Sequence, residues 1–151
     1  MSQGLSNEEV VRRYGAASAA AELAELARLR HPDWSVDWPQ SGERVASSES
    51  FAAILDRYPG GRPRTQIEQI VGSEDRWVVT AGNTILRVVG SGDSWWTSYR
   101  ITDPDGTEYH CIDLMQIRDG MVFHETVYWA PAFEAPAWRA PFVERVEPAN
   151  P

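Results

Sequence analysis

A single cysteine in 151 residues excludes an internal disulfide, so packing alone must hold this chain together. Cys111 itself reads as inert packing. No apolar run approaches the ~20 residues of a membrane-spanning helix. The opening segment, MSQGLSNEEVV, has no basic region followed by an apolar core, so no secretory signal is expected there. Positive charge is scarce: 14 Lys and Arg stand against 22 Asp and Glu, for a net charge of -8. An acidic surface repels phosphates, which argues against a nucleic acid partner. No basic amphipathic stretch argues for a membrane surface. A soluble, cytoplasmic protein is the expectation.

Familiar catalytic signatures are missing too. There is no phosphate-binding Walker loop and no nucleophile elbow. Gly90-Ser91-Gly92 lacks the third glycine and the following helix of a dinucleotide fingerprint. His124-Glu125 lacks the second histidine of a zinc-protease helix, and His31, His110 and His124 form no metal signature.

What is present is a chain long enough for one substantial core, with a heavy load of seven Trp and five Tyr. Ser6-Asn7-Glu8-Glu9 is a capping box, with Leu5 and Val10 placed as its staple. Val10, Val11, Tyr14, Ala17 and Ala21 follow at helical spacing, and Gly15 and Ser18 are where the run can divide. A second helix carries Leu23, Leu26 and Leu29 and stops at His31-Pro32. Trp34–Trp38 reads as a short strand. Ser47 or Ser48 caps a third helix with Phe51, Ile54, Leu55 and Tyr58 toward the core.

The remainder is strand: 65–71, 77–89 (bent near Ala81-Gly82), 95–101, 109–117 and 122–129. Short turns such as Asp119-Gly120 make successive strands antiparallel neighbours. Helices first and an antiparallel meander second define an α+β class. The division expected is a domain over 1–130 and a Pro-rich tail over 131–151. Phe133, Trp138 and Phe142 make that tail too apolar to stand free, so it is expected to pack on the domain.

Two strands repay a face-by-face reading, because side chains alternate along a strand. Asp113 shares a face with Cys111 and Met115, while His110, Ile112, Leu114 and Gln116 take the other. On the next strand Glu125 shares a face with Phe123, Val127 and Trp129. Asp113 is therefore a carboxyl on an apolar face. It either stays protonated, as a hydrogen-bond donor, or finds a backbone or Arg partner.

At this point the chain resembles the nuclear transport factor 2-like superfamily, with its SnoaL-like cyclases and ketosteroid isomerases. The residues that carry the resemblance are Val11-Arg12-Arg13-Tyr14, Val36-Asp37-Trp38-Pro39 with Ser41-Gly42-Glu43-Arg44, and Ile112-Asp113-Leu114-Met115 through Tyr128-Trp129. Their order and spacing over about 7–129 are the signal.

The resemblance implies a cone: a curved antiparallel sheet wrapped around about three helices, with an apolar interior. It also implies a homodimer, a small apolar oxygenated substrate, and chemistry without a metal or organic cofactor. Tyr14 and Asp113 fall where ketosteroid isomerases place the donors of their oxyanion hole. Trp38, Phe51, Met115, Phe123, Val127 and Trp129 are expected to line the pocket. The isomerase base would fall at Trp38, which cannot take a proton, and Asp37 should point out of the cone. Glu125 is the replacement base, and His110 matches a cyclase histidine only if a bulge reverses its strand phase.

Two readings stand: an acid–base enzyme of isomerase, cyclase, dehydratase or hydrolase type, or a ligand-binding or scaffolding member of the same fold. The homodimer would form through the outer sheet face, where the aromatics of 77–101 exceed what one small core needs.

Overall fold

The computed structural model describes residues 4–72, 76–79, 85–88 and 92–146, with 76–79 and 85–88 described by backbone only. The order is α1 (Asn7–Ala19), α2 (Leu23–Leu29), β1 (Arg30–Trp38), β2 (Glu43–Val45), α3 (Ser48–Asp56), β3 (Arg64–Gly72), β4 (Arg76–Val79), β5 (Ile85–Val88), β6 (Ser94–Thr102), β7 (Glu108–Arg118) and β8 (Met121–Pro131). A 3-10 turn follows at Ala137–Phe142. Among the described residues, no helix is long and apolar enough to cross a membrane.

Both reciprocal bonds of the Ser6 capping box start α1. The helix then runs through Gly15 and Ser18 instead of dividing there, and breaks where Ala21 turns left-handed at φ 57. Gly15 faces β3, where a Cβ would lie 3.6 Å from the side chains of Ile67 and Ile70, an ordinary contact distance that an alanine would also satisfy.

The main sheet is six-stranded in the order β2-β1-β8-β7-β6-β3, and β4 with β5 forms a separate hairpin. The three expected long strands β6, β7 and β8 are antiparallel neighbours, as their short turns require. Two features departed from expectation. The segment 43–45 adds an edge strand, and β1 runs parallel to β8, a non-local pairing that no turn signals. The expected bend near Ala81-Gly82 lies outside the described residues.

The strand β1 also starts four residues early. Its register against β8 slips between Arg30 and Ser35, where Pro32 has no N–H for a ladder bond. Trp34 and Val36 then alternate inward. The core joins Val10, Val11, Ala17, Leu26, Leu29, Trp34, Val36, Met115, Ile117 and Val122 between α1, α2 and the concave side of the sheet.

On β7 burial alternates strictly from Cys111 to Ile117, leaving Ile112 and Leu114 on the outer face. The tail does not pack as expected. Phe133, Trp138 and Phe142 stay 72–82% exposed, so none of the three is covered by the described residues of the domain.

Candidate functional site

The sheet and the three helices enclose a cavity of about 330 Å³. Trp38 and Val36 enter it from β1, Tyr99 from β6, Met115 from β7, and Val127 and Trp129 from β8. The helix α3 supplies Phe51, Ile54 and Leu55, and none of its residues is buried, because its apolar side faces the cavity instead of solid core. At one end the rings of Trp38 and Trp129 meet edge-on at 5.8 Å. Gln40 clamps the Trp129 backbone there, accepting from its N–H at 2.7 Å and donating to its carbonyl.

The polar groups gather against the core. Glu125, 5% exposed, accepts two hydrogen bonds on the same oxygen, Oε2: from the Tyr14 hydroxyl at 2.8 Å and from Trp34 Nε1 at 2.6 Å. Tyr14 in turn accepts from Arg30 Nε at 2.7 Å. The Arg30 guanidinium is 3.6 Å from the Trp34 ring centroid and 4.4 Å from that of Phe51, and it donates to Ser48 Oγ at 3.3 Å. A guanidinium always carries its charge, so a cation is buried beside this cavity.

Asp113 stands one residue pair along the same face, since Met115 pairs with Glu125 and Asp113 with Val127. It is 7% exposed, and among the described residues its Oδ1 has no hydrogen-bond partner. Burial first, and then the neighbouring Glu125 carboxylate, hold the Asp113 carboxyl well above the usual carboxylate range. Two carboxyls that share a dry site do not both ionise cheaply. Tyr99 and Tyr14 are likewise held well above the ordinary phenol value, chiefly by burial. Burial also pushes the Cys111 thiol up to about 12, which leaves it unreactive.

Of the residues singled out from sequence, Tyr14, Asp113 and Glu125 meet here, and Trp38, Phe51, Met115, Val127 and Trp129 line the cavity. His110 does not join them. The pairing of β6 with β7 is unbroken from Thr97 opposite Asp113 to Arg100 opposite His110, so the bulge that would turn His110 inward does not exist, and the ring is exposed. Phe123 is also elsewhere. The register of β7 with β8 slips by one residue between Gln116 and Ile117, which makes Phe123 the extra residue of a bulge. Val122 and Glu125 therefore both face inward, and Phe123 packs against His31 and Arg118. Asp37 points away from the cavity, as expected, and pairs with Arg44 at 2.5 Å and His124 at 3.5 Å. Tyr14 is not a free donor, since its hydroxyl is committed to Glu125.

Arg30 and Trp34 were missed as site residues. Among the described residues, no group of three or more His, Cys, Asp or Glu is placed to hold a metal.

This geometry has relatives among solved structures. An NTF-2 like protein of unknown function from Burkholderia xenovorans is 28% identical, with a TM-score of 0.71, covering 94% of this chain and 96% of that one. A candidate ketosteroid isomerase from Kribbella flavida is 22% identical with a TM-score of 0.71, covering 95% and 92%. An LEH-like epoxide hydrolase from M. tuberculosis shares the fold at 12% identity and a TM-score of 0.57, covering 83% of each chain. A search among curated proteins found no match. The profile of the SnoaL-like domain matches residues 11–125, most of the chain, leaving out the first turn of α1 and the end of β8. The chain belongs to the SnoaL-like domain family of the NTF2-like superfamily.

Proposed function

We propose that this protein is a cofactor-independent acid–base enzyme of the isomerase, cyclase or dehydratase type. Its substrate would be a small apolar oxygenated molecule of polyketide, terpenoid or steroid character. The observation that carries this reading is the Asp113–Glu125 pair on the wall of an otherwise apolar cavity. Protonated Asp113 donates to a substrate carbonyl and steadies the charge that develops on it. Glu125 takes the substrate proton. Tyr14 and Trp34 both donate to its Oε2 and hold the carboxylate in place for that step.

Proton exchange tests this without a known substrate. Apolar cyclic ketones held with the protein in D2O should exchange their α-protons, followed by NMR. Glu125→Gln should slow exchange by about 10²-fold or more while ketone binding persists. Asp113→Asn should keep part of the activity, because an amide still donates. Equal rates in the two variants would refute these roles.

A second reading, a non-catalytic ligand-binding protein, is favoured by one observation: the site where related isomerases would carry their base holds Trp38. Binding of ketones with no exchange in the wild type would support it.

The partner proposed besides the ligand is a second copy of the chain, through the outer sheet face. Ile112 lies opposite Tyr128 and Leu114 opposite Trp96 in the ladders, and Ile112, Leu114 and Tyr128 are 45–46% exposed. The aromatics of 77–101 contribute less than expected. Trp95 turns inward against Gly72 and Tyr99 faces the cavity, while the Trp77 side chain lies outside the described residues. Light scattering at tens of micromolar should give twice the monomer mass, and Leu114→Glu should reduce it to one. A net charge of -8 disfavours nucleic acid at any of these faces.

A further inference from the structure

The cavity holds one buried cation and two buried carboxyls, joined in a line. Arg30 Nε donates to the Tyr14 hydroxyl at 2.7 Å, and that hydroxyl donates to Glu125 Oε2 at 2.8 Å. The guanidinium does not touch Glu125 directly. It is held by the rings of Trp34 and Phe51, while Trp34 spends its own N–H on the same Glu125 oxygen at 2.6 Å. Both arms of the arrangement, through Tyr14 and through Trp34, therefore lead from Arg30 to Oε2. Asp113 stands beyond them, its carboxyl hydrogen-bonded to Glu125 and its Oδ1 unpartnered among the described residues.

We propose that Arg30 is the positioning residue that decides which carboxyl of the pair carries the proton, acting through Tyr14 to keep Glu125 the anion and Asp113 the acid.

The charge count supports it. A guanidinium cannot discard its proton, and a lone buried charge is costly. With one carboxylate beside it the site is neutral, with two it carries an excess negative charge, and with none it keeps an uncompensated cation. One carboxyl must ionise and one must not. The hydrogen bonds then choose. An oxygen that accepts from a phenol and an indole N–H belongs to the charged form, because donors favour the anion. The other ionisable groups facing the pair are Tyr14 from α1, Tyr99 from β6 and Arg30 from β1. Both phenols are held well above their ordinary value, so neither competes for the charge at neutral pH.

The catalytic meaning of this device rests on the acid–base reading of the cavity, but the protonation pattern does not. It is measurable without turnover. The full chain, labelled with ¹³C at the Asp and Glu side-chain carboxyls, would be examined by NMR at neutral pH, with Asp113→Asn and Glu125→Gln used to assign the two resonances. The wild type should show Glu125 at the ionised position and Asp113 at the protonated one. Arg30→Met should move Glu125 to the protonated position, and Arg30→Lys should return most of it to the ionised one. Tyr14→Phe, a near-isosteric change that breaks the relay and leaves Arg30 in place, should shift the Glu125 resonance toward the protonated position.

An ionised Glu125 in Arg30→Met would overturn the inference. If Arg30→Met does not fold, an unmoved Glu125 resonance in Tyr14→Phe overturns it instead. A proton found on Glu125 in the wild type also overturns it. The expected pattern in a protein that exchanges no ketone protons would sink only the catalytic reading and leave the role of Arg30 standing.

Discussion

Replacing Glu125 by Leu is expected to destabilise the fold by about 3–5 kcal/mol at neutral pH, the size of effect seen when one charged member of a buried, mutually compensating network is removed. The loss has identifiable parts. The Arg30 cation, 5% exposed, would keep its burial and lose the carboxylate to which it is linked through Tyr14. The Tyr14 hydroxyl and the Trp34 N–H would lose the one acceptor they share.

The revealing experiment is the double variant. Arg30→Met with Glu125→Leu removes both charges and fills the space with side chains of similar length. Its cost should fall short of the sum of the two single costs by about 1–3 kcal/mol. Urea unfolding of the four proteins would measure this, provided the m-values agree. Additive costs would mean that Arg30 and Glu125 are not coupled and that the relay through Tyr14 carries no energy.

Asp113→Asn is expected to do the opposite and stabilise the protein at neutral pH. The folded state holds the Asp113 proton well above the carboxyl's ordinary value of 3.8. Below that value both folded and unfolded chains carry the proton, and the stabilising preference is fully present. As pH rises, the unfolded chain releases the proton while the folded one retains it. Stability then falls by about 1.4 kcal/mol per pH unit until the folded group also titrates.

Carboxylates with lowered values, such as Asp37 bonded to Arg44, act in the reverse sense. The quantity to measure is therefore the difference between variant and wild type from acid to neutral pH. Asp113→Asn should gain on the wild type steadily as pH rises. A constant difference would place Asp113 outside the buried pair. A gain in stability joined to a loss of proton exchange would mark Asp113 as kept for function.

The parts of this architecture that depend on near neighbours were readable in the sequence. The Ser6 capping box, the β6-β7-β8 meander and the inward face of Asp113 all follow from spacing and turn chemistry. Phe123 was misplaced because a one-residue bulge leaves no mark on composition, yet it reverses every assignment that crosses it. Arg30 was hidden for a different reason. His31-Pro32 reads as a helix stop, whereas the strand begins at Arg30, and its place beside Tyr14 depends on β1 lying parallel to a strand ninety residues away. The tail aromatics were expected to be covered because they are apolar, but hydrophobicity says only that cover is favourable, not that the same domain supplies it.

The helix α3 forms a wall of the cavity without burying any residue of its own. Its Phe51, Ile54 and Leu55 line that cavity together with Val127 and Trp129, so that layer of the core is incomplete in the chain by itself. An apolar guest would be the missing layer. Its binding energy would then appear partly as firmer docking of α3, and the melting temperature would rise with guest concentration even for a molecule that never reacts.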